Sequence, residues 1–133
     1  MIFKNFSHII LLGFILTTIS CKSNRQIYSI STDRITGKVV NIDSTQSWYI
    51  ISFEYNNKKG VFVSHKSKCK YPKSRTLIKI NKTYDLELAK MIQNNYNEKK
   101  LVFEVEGKET WNSSSGVDYF EYANNICGLY TWN

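Results

Sequence analysis

Trp48-Tyr49-Ile50-Ile51-Ser52-Phe53-Glu54-Tyr55 is the stretch on which the fold turns. Tyr49, Ile51, Phe53 and Tyr55 share one face, with Ser52 and Glu54 on the other, the period of two that a strand with one buried face requires. Asn56-Asn57-Lys58-Lys59-Gly60 follows as turn chemistry, so the chain is expected to return over Val61 to His65 and form a β-hairpin.

Working outward, Ile35 to Asp43 reads as the preceding strand, with Ile35, Gly37 and Val39 on one face, and Asp43 to Ser47 as the polar turn between the two. Downstream, the segment 66–75 carries Pro72 and is placed in a loop. Thr76 to Ile80 is the next expected strand, then Thr83 to Leu88, with Tyr84, Leu86 and Leu88 inward and Asp85 and Glu87 outward. Ala89 to Asn97 is assigned a short helical turn. Leu101 to Glu106 alternates again, and Val117 to Tyr122 is the last strand. The balance of 9 Tyr, 7 Phe and 3 Trp against a single Pro suits strands better than a disordered chain.

Strands joined by short turns, without internal repeat or second domain, predict an all-β, mainly antiparallel fold. Among such folds the early Gly-bearing strand, the long hairpin and the late strand resemble an oligonucleotide/oligosaccharide-binding (OB) barrel of about five to six strands, with at most a short helix. The segment Ile78 to Leu88, together with Gly37-Lys38-Val39-Val40 and Gly128-Leu129-Tyr130, resembles small Bacteroidetes-type lipoproteins with that barrel. That resemblance implies a fold and a compartment but no activity.

The N-terminal stretch has the parts of a secretory signal peptide: basic Lys4, an apolar run from Ile9 to Leu16, and small Ser20 before Cys21. The run is shorter than the roughly 20 residues a spanning helix needs. Thr18-Ile19-Ser20-Cys21 resembles a bacterial lipobox, whose cysteine is acylated, palmitate included, and becomes the new N-terminus. The resemblance implies cleavage of residues 1–20, a lipidated Cys21 with a tether over 21–32, and one barrel domain over 33–133. Two or more acyl chains hold a protein on a bilayer almost permanently. Lys22 stands where lipoproteins retained at the inner membrane carry Asp, which implies the outer membrane, facing the periplasm. The alternative is an ordinary secreted chain cut elsewhere, with Cys21 incidental.

An oxidising periplasm would favour a disulfide between the two remaining cysteines, Cys69 and Cys127. A loop of that size restrains the unfolded chain by about 4 kcal/mol on the entropy account. The alternative is two separate buried thiols. His65 with the two cysteines offers three metal ligands where a structural zinc site takes four, so no metal is expected. His65 and Cys69 have no orienting third group for nucleophilic catalysis. Glu104 and Glu106 share a strand face, which a solvated surface explains. With no phosphate loop or nucleophile elbow, neither an enzyme nor a cofactor is expected. Asp43-Ser44-Thr45 resembles the short O-glycosylation acceptor of the same bacterial group.

The formal charge is +7, and Lys66, Lys68, Lys70, Lys73 and Arg75 crowd together with no acid among them. Either this basic loop is a solvated face, the simpler reading, or it binds a polyanion. Trp48, Tyr49, Phe62, Tyr71 and Trp111 would add a stacking surface if exposed beside it; core packing is the competing reading. The sequence therefore points to a membrane-anchored envelope lipoprotein acting as a non-catalytic binding or structural module. Its alternatives are a periplasmic inhibitor or immunity-type protein, or a binder of acidic glycan or lipid A through loop 66–75. Nucleic acid is not an expected partner in that compartment.

Overall fold

The computed structural model describes residues 29–66, 74–92 and 101–132, and all of their regular structure is β. The strands are β1 (Ser29–Ser44), β2 (Trp48–Tyr55), β3 (Lys58–His65), β4 (Thr76–Leu77) and β5 (Thr83–Ile92), followed by β6 (Val102–Val105) and β7 (Lys108–Asn112). Four short ones close the chain: β8 (Asp118–Phe120), β9 (Tyr122–Ala123), β10 (Ile126–Cys127) and β11 (Tyr130–Thr131). The signal stretch 1–20, Cys21, Cys69, Lys68, Lys70, Lys73 and Tyr71 lie outside the described residues.

The main sheet has six strands in the order β8-β3-β2-β1-β5-β9. β1 is its spine. Residues Ser29 to Lys38 pair with β5 and Lys38 to Ser44 pair with β2, the register slipping between Val39 and Asn41. A bulge there bends the strand and increases its twist, as a curling sheet needs. Closure is made by one short segment. β8 pairs parallel with β3, and β9, one residue later, pairs antiparallel with β5. Glu121 N donates to Ala89 O at 2.9 Å and Asn124 N to Glu87 O at 2.7 Å, so 118–124 bridges both edges of the sheet. The result is an all-β, mainly antiparallel fold in which the six-stranded sheet curls into a half-barrel, as a small barrel requires.

Two hairpin turns show why these residues reverse the chain. Asn56 and Asn57 have φ of 46° and 60°, and Glu106 and Gly107 have 50° and 77°. Paired positive φ values twist a two-residue turn to match its strands.

Inside the barrel Val39, Ile51, Phe53, Phe62, Leu86 and Leu88 are fully buried. The Phe53 ring fills the centre, 5.8 Å from the Phe62 and Phe120 rings. Tyr55 hydroxyl donates to the Asp118 carboxylate at the barrel edge. Burial and that carboxylate raise the phenol's pKa.

Four expectations are corrected. β5 continues through Ala89 to Ile92 rather than turning into a helix, because β1 extends back to Ser29 and pairs with it residue by residue. Residues 29–32, expected as tether, are therefore strand, whereas 93–97 lie outside the described residues. The expected strand at Thr76 to Ile80 shrinks to Thr76–Leu77, with Ile78 buried just beyond it. The second face of β2 is not simply polar: Ile50, with Val61 and Val63 of β3, forms a smaller core against Val105, Trp111, Val117 and Tyr119. The β6–β7 hairpin lies over that face.

Candidate functional site

OB barrels commonly bind along the outer face of their second and third strands. Here that face is occupied by the chain itself. Phe103, Trp111 and Tyr119 form an aromatic cluster over it, with Phe103 and Tyr119 stacked at 4.5 Å and 10°. Trp111 Nε1 donates to Val117 O. At the hairpin tip Glu106 accepts from Ser47 N at 3.1 Å, and Lys108 pairs with Asp43. The Glu106 carboxyl is held down to about 2 by the hydroxyls of Thr45 and Ser47 and by the Ser47 backbone. Lys108 and Ser44 N lower the pKa of Asp43. These contacts seat the hairpin against the turn between β1 and β2.

A polar concavity lies elsewhere. A cleft of about 390 Å³ lies on the outer face of β1 and β5, walled by 74–76 and the C-terminal 131–132. Thr36 and Asp85 are direct cross-strand partners, and Thr36 Oγ1 donates to Asp85 Oδ1 at 2.7 Å. Thr83, two residues before Asp85 on the same strand, shares its face. Tyr84 hydroxyl accepts from Lys79 N at 2.8 Å and donates to Leu77 O at 3.3 Å, which fixes the wall carrying β4. Arg75 stands 4.8 Å from the centre of the Tyr130 ring, and Tyr130 pairs with Leu77 of β4.

Asn125 holds the far wall. Its side chain is buried, accepts from Glu87 N at 2.9 Å through Oδ1, and donates through Nδ2 to Asp85 O at 2.7 Å and Trp132 O at 3.2 Å. One carboxamide thus ties the C-terminal segment to β5 and sets Trp132 at the cleft. Beside Trp132, Thr131 is 5 % exposed, and its Oγ1 is buried without a hydrogen-bond partner. An orphaned buried hydroxyl costs about 1–3 kcal/mol. A second cleft of about 200 Å³ is lined by Arg34, Asp85, Glu87 and Asn125. Arg34 and Glu87 are ion-paired there.

The residues expected to act are distributed differently from their sequence order. Lys66 turns to the β1–β2 turn beside the end of β3: its ammonium donates to Thr45 O and sits 4.9 Å from the Tyr49 ring centre. Arg75 alone of the described basic candidates lines the cleft. Phe62 is buried in the barrel, Trp48 packs beside the β6–β7 hairpin, and Trp111 belongs to the aromatic cluster, so these three do not join one exposed stacking surface. His65 is exposed at the end of β3 with its ring edge-on to Trp48, 4.6 Å away. Glu104 is exposed on β6, whereas Glu106 is bound to the β1–β2 turn. Among the described residues no three His, Cys, Asp or Glu side chains group to hold a metal. Cys127 is disulfide-bonded.

Thr36, Thr131, Trp132 and Asn125 carry no signal in the sequence that marks them as a site. Thr36 and Asp85 sit outward on paired strands, which a solvated face also explains. The chain matches no family model, no curated protein and no solved structure.

Proposed function

We propose that this chain is a lipid-anchored envelope protein that acts by binding rather than by catalysis. The observation that carries the binding reading is the cleft on β1 and β5. Its polar groups are fixed in place: Asp85 by Thr36, Tyr84 by two backbone groups, and Trp132 by Asn125. Pre-positioned donors and acceptors in a concave site suit recognition, because little ordering remains to oppose binding. The barrel gives that site a rigid base. The anchoring reading rests on the signal-like stretch ending in Cys21 and on its resemblance to Bacteroidetes-type lipoproteins.

Two experiments test the two halves. Radiolabelled palmitate should label the wild-type chain and not Cys21→Ala; equal labelling of both, or none of either, ends the anchoring reading. A photo-crosslinking residue placed at Trp132 should capture an envelope component, and the same probe at Glu104, on the far hairpin, should not. Equal capture from both positions would remove the cleft as the binding surface.

A further inference from the structure

We propose that the end of the barrel where the β2–β3 turn and the turn 79–82 meet the middle of β1 is a membrane-contact surface, which seats Ile80 in an anionic lipid bilayer with lysines around it. The proposal is independent of the cleft and of the acylation of Cys21. It rests on what the fold brings together at that end.

Strand register collects the basic groups. Lys38 is paired with Glu54 of β2 on one side and with Thr83 of β5 on the other, and Glu54 is paired in turn with Lys59 of β3. Lys58 precedes Lys59 at the start of β3, and Lys79 and Lys82 bound the turn that enters β5. All five of these lysines are exposed. Glu54 is the one acid in the row and stands between Lys38 and Lys59, so the surface keeps a net positive charge. The acids closest along the chain pairings are already engaged, Asp85 by Thr36 and Asp118, opposite Gly60, by Tyr55. An anionic bilayer attracts each lysine held near its surface.

The turn between two of these lysines displays an apolar side chain. Lys79-Ile80-Asn81-Lys82 reverses the chain with a φ of 65° at Asn81, a left-handed value that asparagine tolerates at the third position of a tight turn. One residue clamps it: Asn81 N donates to Val39 O at 2.8 Å, and Val39 N donates to Lys82 O at 2.9 Å. Val39 is fully buried, so the clamp is rooted in the core. On the other side Lys79 N donates to the Tyr84 hydroxyl at 2.8 Å, and Ile78 is buried beneath the segment. The turn is therefore fixed. Ile80 at its tip is 47 % exposed, the most exposed large apolar side chain among the described residues, and Leu77, three residues earlier, is 42 % exposed.

These two features together select a bilayer over other anionic partners. A soluble polyanion would satisfy the lysines and give nothing to an isoleucine set among them. An apolar groove of a protein would take Ile80 and strip the lysines of water. A bilayer offers both environments in the right order, with charged headgroups at the surface and acyl chains just beneath. Long lysine stems let the ammonium groups stay at headgroup level while the tip between them goes deeper. A clamped turn also has little conformational freedom left to lose on binding.

The test is co-sedimentation with vesicles, using the chain from Lys22 on, which contains β1 to β11 and lacks both Cys21 and the apolar run before it. Vesicles of phosphatidylglycerol and phosphatidylethanolamine in equal parts should bind it saturably and less as salt is added, with phosphatidylcholine vesicles weaker by about tenfold or more. Ile80→Ser, which leaves the charge unchanged, should weaken binding about fivefold or more while the urea midpoint stays level, because that side chain is outside the core. Lys79→Gln should weaken it about fivefold, and Lys90→Gln, an exposed lysine further along β5, by less than about twofold. Equal binding to both kinds of vesicle, or to neither, overturns the proposal. So does full binding by Ile80→Ser, or a loss in Lys90→Gln as large as that in Lys79→Gln. Binding to heparin with none to the anionic vesicles overturns it as well and gives the basic end to a soluble polyanion. Palmitate labelling of Cys21 is read on a separate residue, so failure here leaves the anchoring reading standing, and the reverse holds too.

Discussion

Phe53 and Gly60 face each other across β2 and β3, and the ring of the one occupies the space a side chain on the other would need. A Cβ built on Gly60 would stand 2.4 Å from Phe53 Cζ, and one on Gly37, across the opposite neighbour β1, 2.7 Å from Phe53 Cδ2. The Phe53 ring at the barrel centre is thus bracketed by glycines on both flanking strands. Either position is intolerant of a single methyl group.

Gly60→Ala should therefore lower stability by about 1–3 kcal/mol or more, the range for overpacking a dense core. Gly37→Ala should cost less, because its second contact is the flexible Leu86 side chain at 3.3 Å. Urea denaturation followed by tryptophan fluorescence measures both. Pairing Gly60→Ala with Phe53→Leu should recover part of the loss; a double variant no more stable than Gly60→Ala would show that the ring is not the obstacle.

Asn125 serves both the fold and the cleft, so its variants should separate by charge. Asn125→Ala leaves Glu87 N, Asp85 O and Trp132 O without their buried partner, a loss of about 1–3 kcal/mol. Asn125→Asp keeps the acceptor for Glu87 N but turns the donor toward two carbonyl oxygens into a second acceptor. Its cost should grow as pH rises through the carboxylate range and shrink below it, whereas the loss in Asn125→Ala should stay level. Parallel pH dependences in the two variants would contradict the donor role of Nδ2.

Much of the barrel is legible in residues 48–65 and 83–88, where alternation marks both the strands and their inward faces. Trp48 to Tyr55 has the same boundaries in sequence and structure. The failures have a shared cause: they depend on partners far along the chain. Ile50 and Val63 look like exposed apolar residues until the β6–β7 hairpin covers them. Ala89 to Ile92 reads as a break in alternation, yet pairing with 29–32 makes it strand. β8 to β11 are two or three residues each, too short for any period to show. The cleft is harder still, because Thr36, Arg75, Asp85 and Trp132 come from four separate segments.

Cys127 is disulfide-bonded, and we expect its partner to be Cys69, since the proposed anchoring has Cys21 acylated. Digestion of the unreduced chain should release one cross-linked peptide pair carrying Cys69 and Cys127. Reduction should then lower stability by about 4 kcal/mol, the entropy of freeing a loop of that size. A linked pair of Cys21 and Cys127 would overturn both the assignment and the anchoring reading with it.

The seat of the β6–β7 hairpin should respond to acid through Glu106. Its carboxyl is held at about 2 against an ordinary 4.5, first by the Thr45 and Ser47 hydroxyls and then by Ser47 N. A depressed carboxylate contributes fully where both folded and unfolded chains are ionised, above pH of about 4.5, and its contribution falls away as pH drops toward about 2. Asp43, whose pKa Lys108 lowers, acts in the same direction at the same contact. The urea midpoint of the wild type should therefore decline across this window, and that of Glu106→Gln should start lower and decline less steeply. Adding Asp43→Asn should flatten the slope further. Because Trp111 of the hairpin and Trp48 of β2 both pack against the small core that the hairpin covers, their fluorescence reports its release directly. Identical acid slopes in wild type and Glu106→Gln would show that the carboxylate at the hairpin tip contributes nothing to holding it down, and that the apolar contacts of Ile50, Val61 and Val63 suffice.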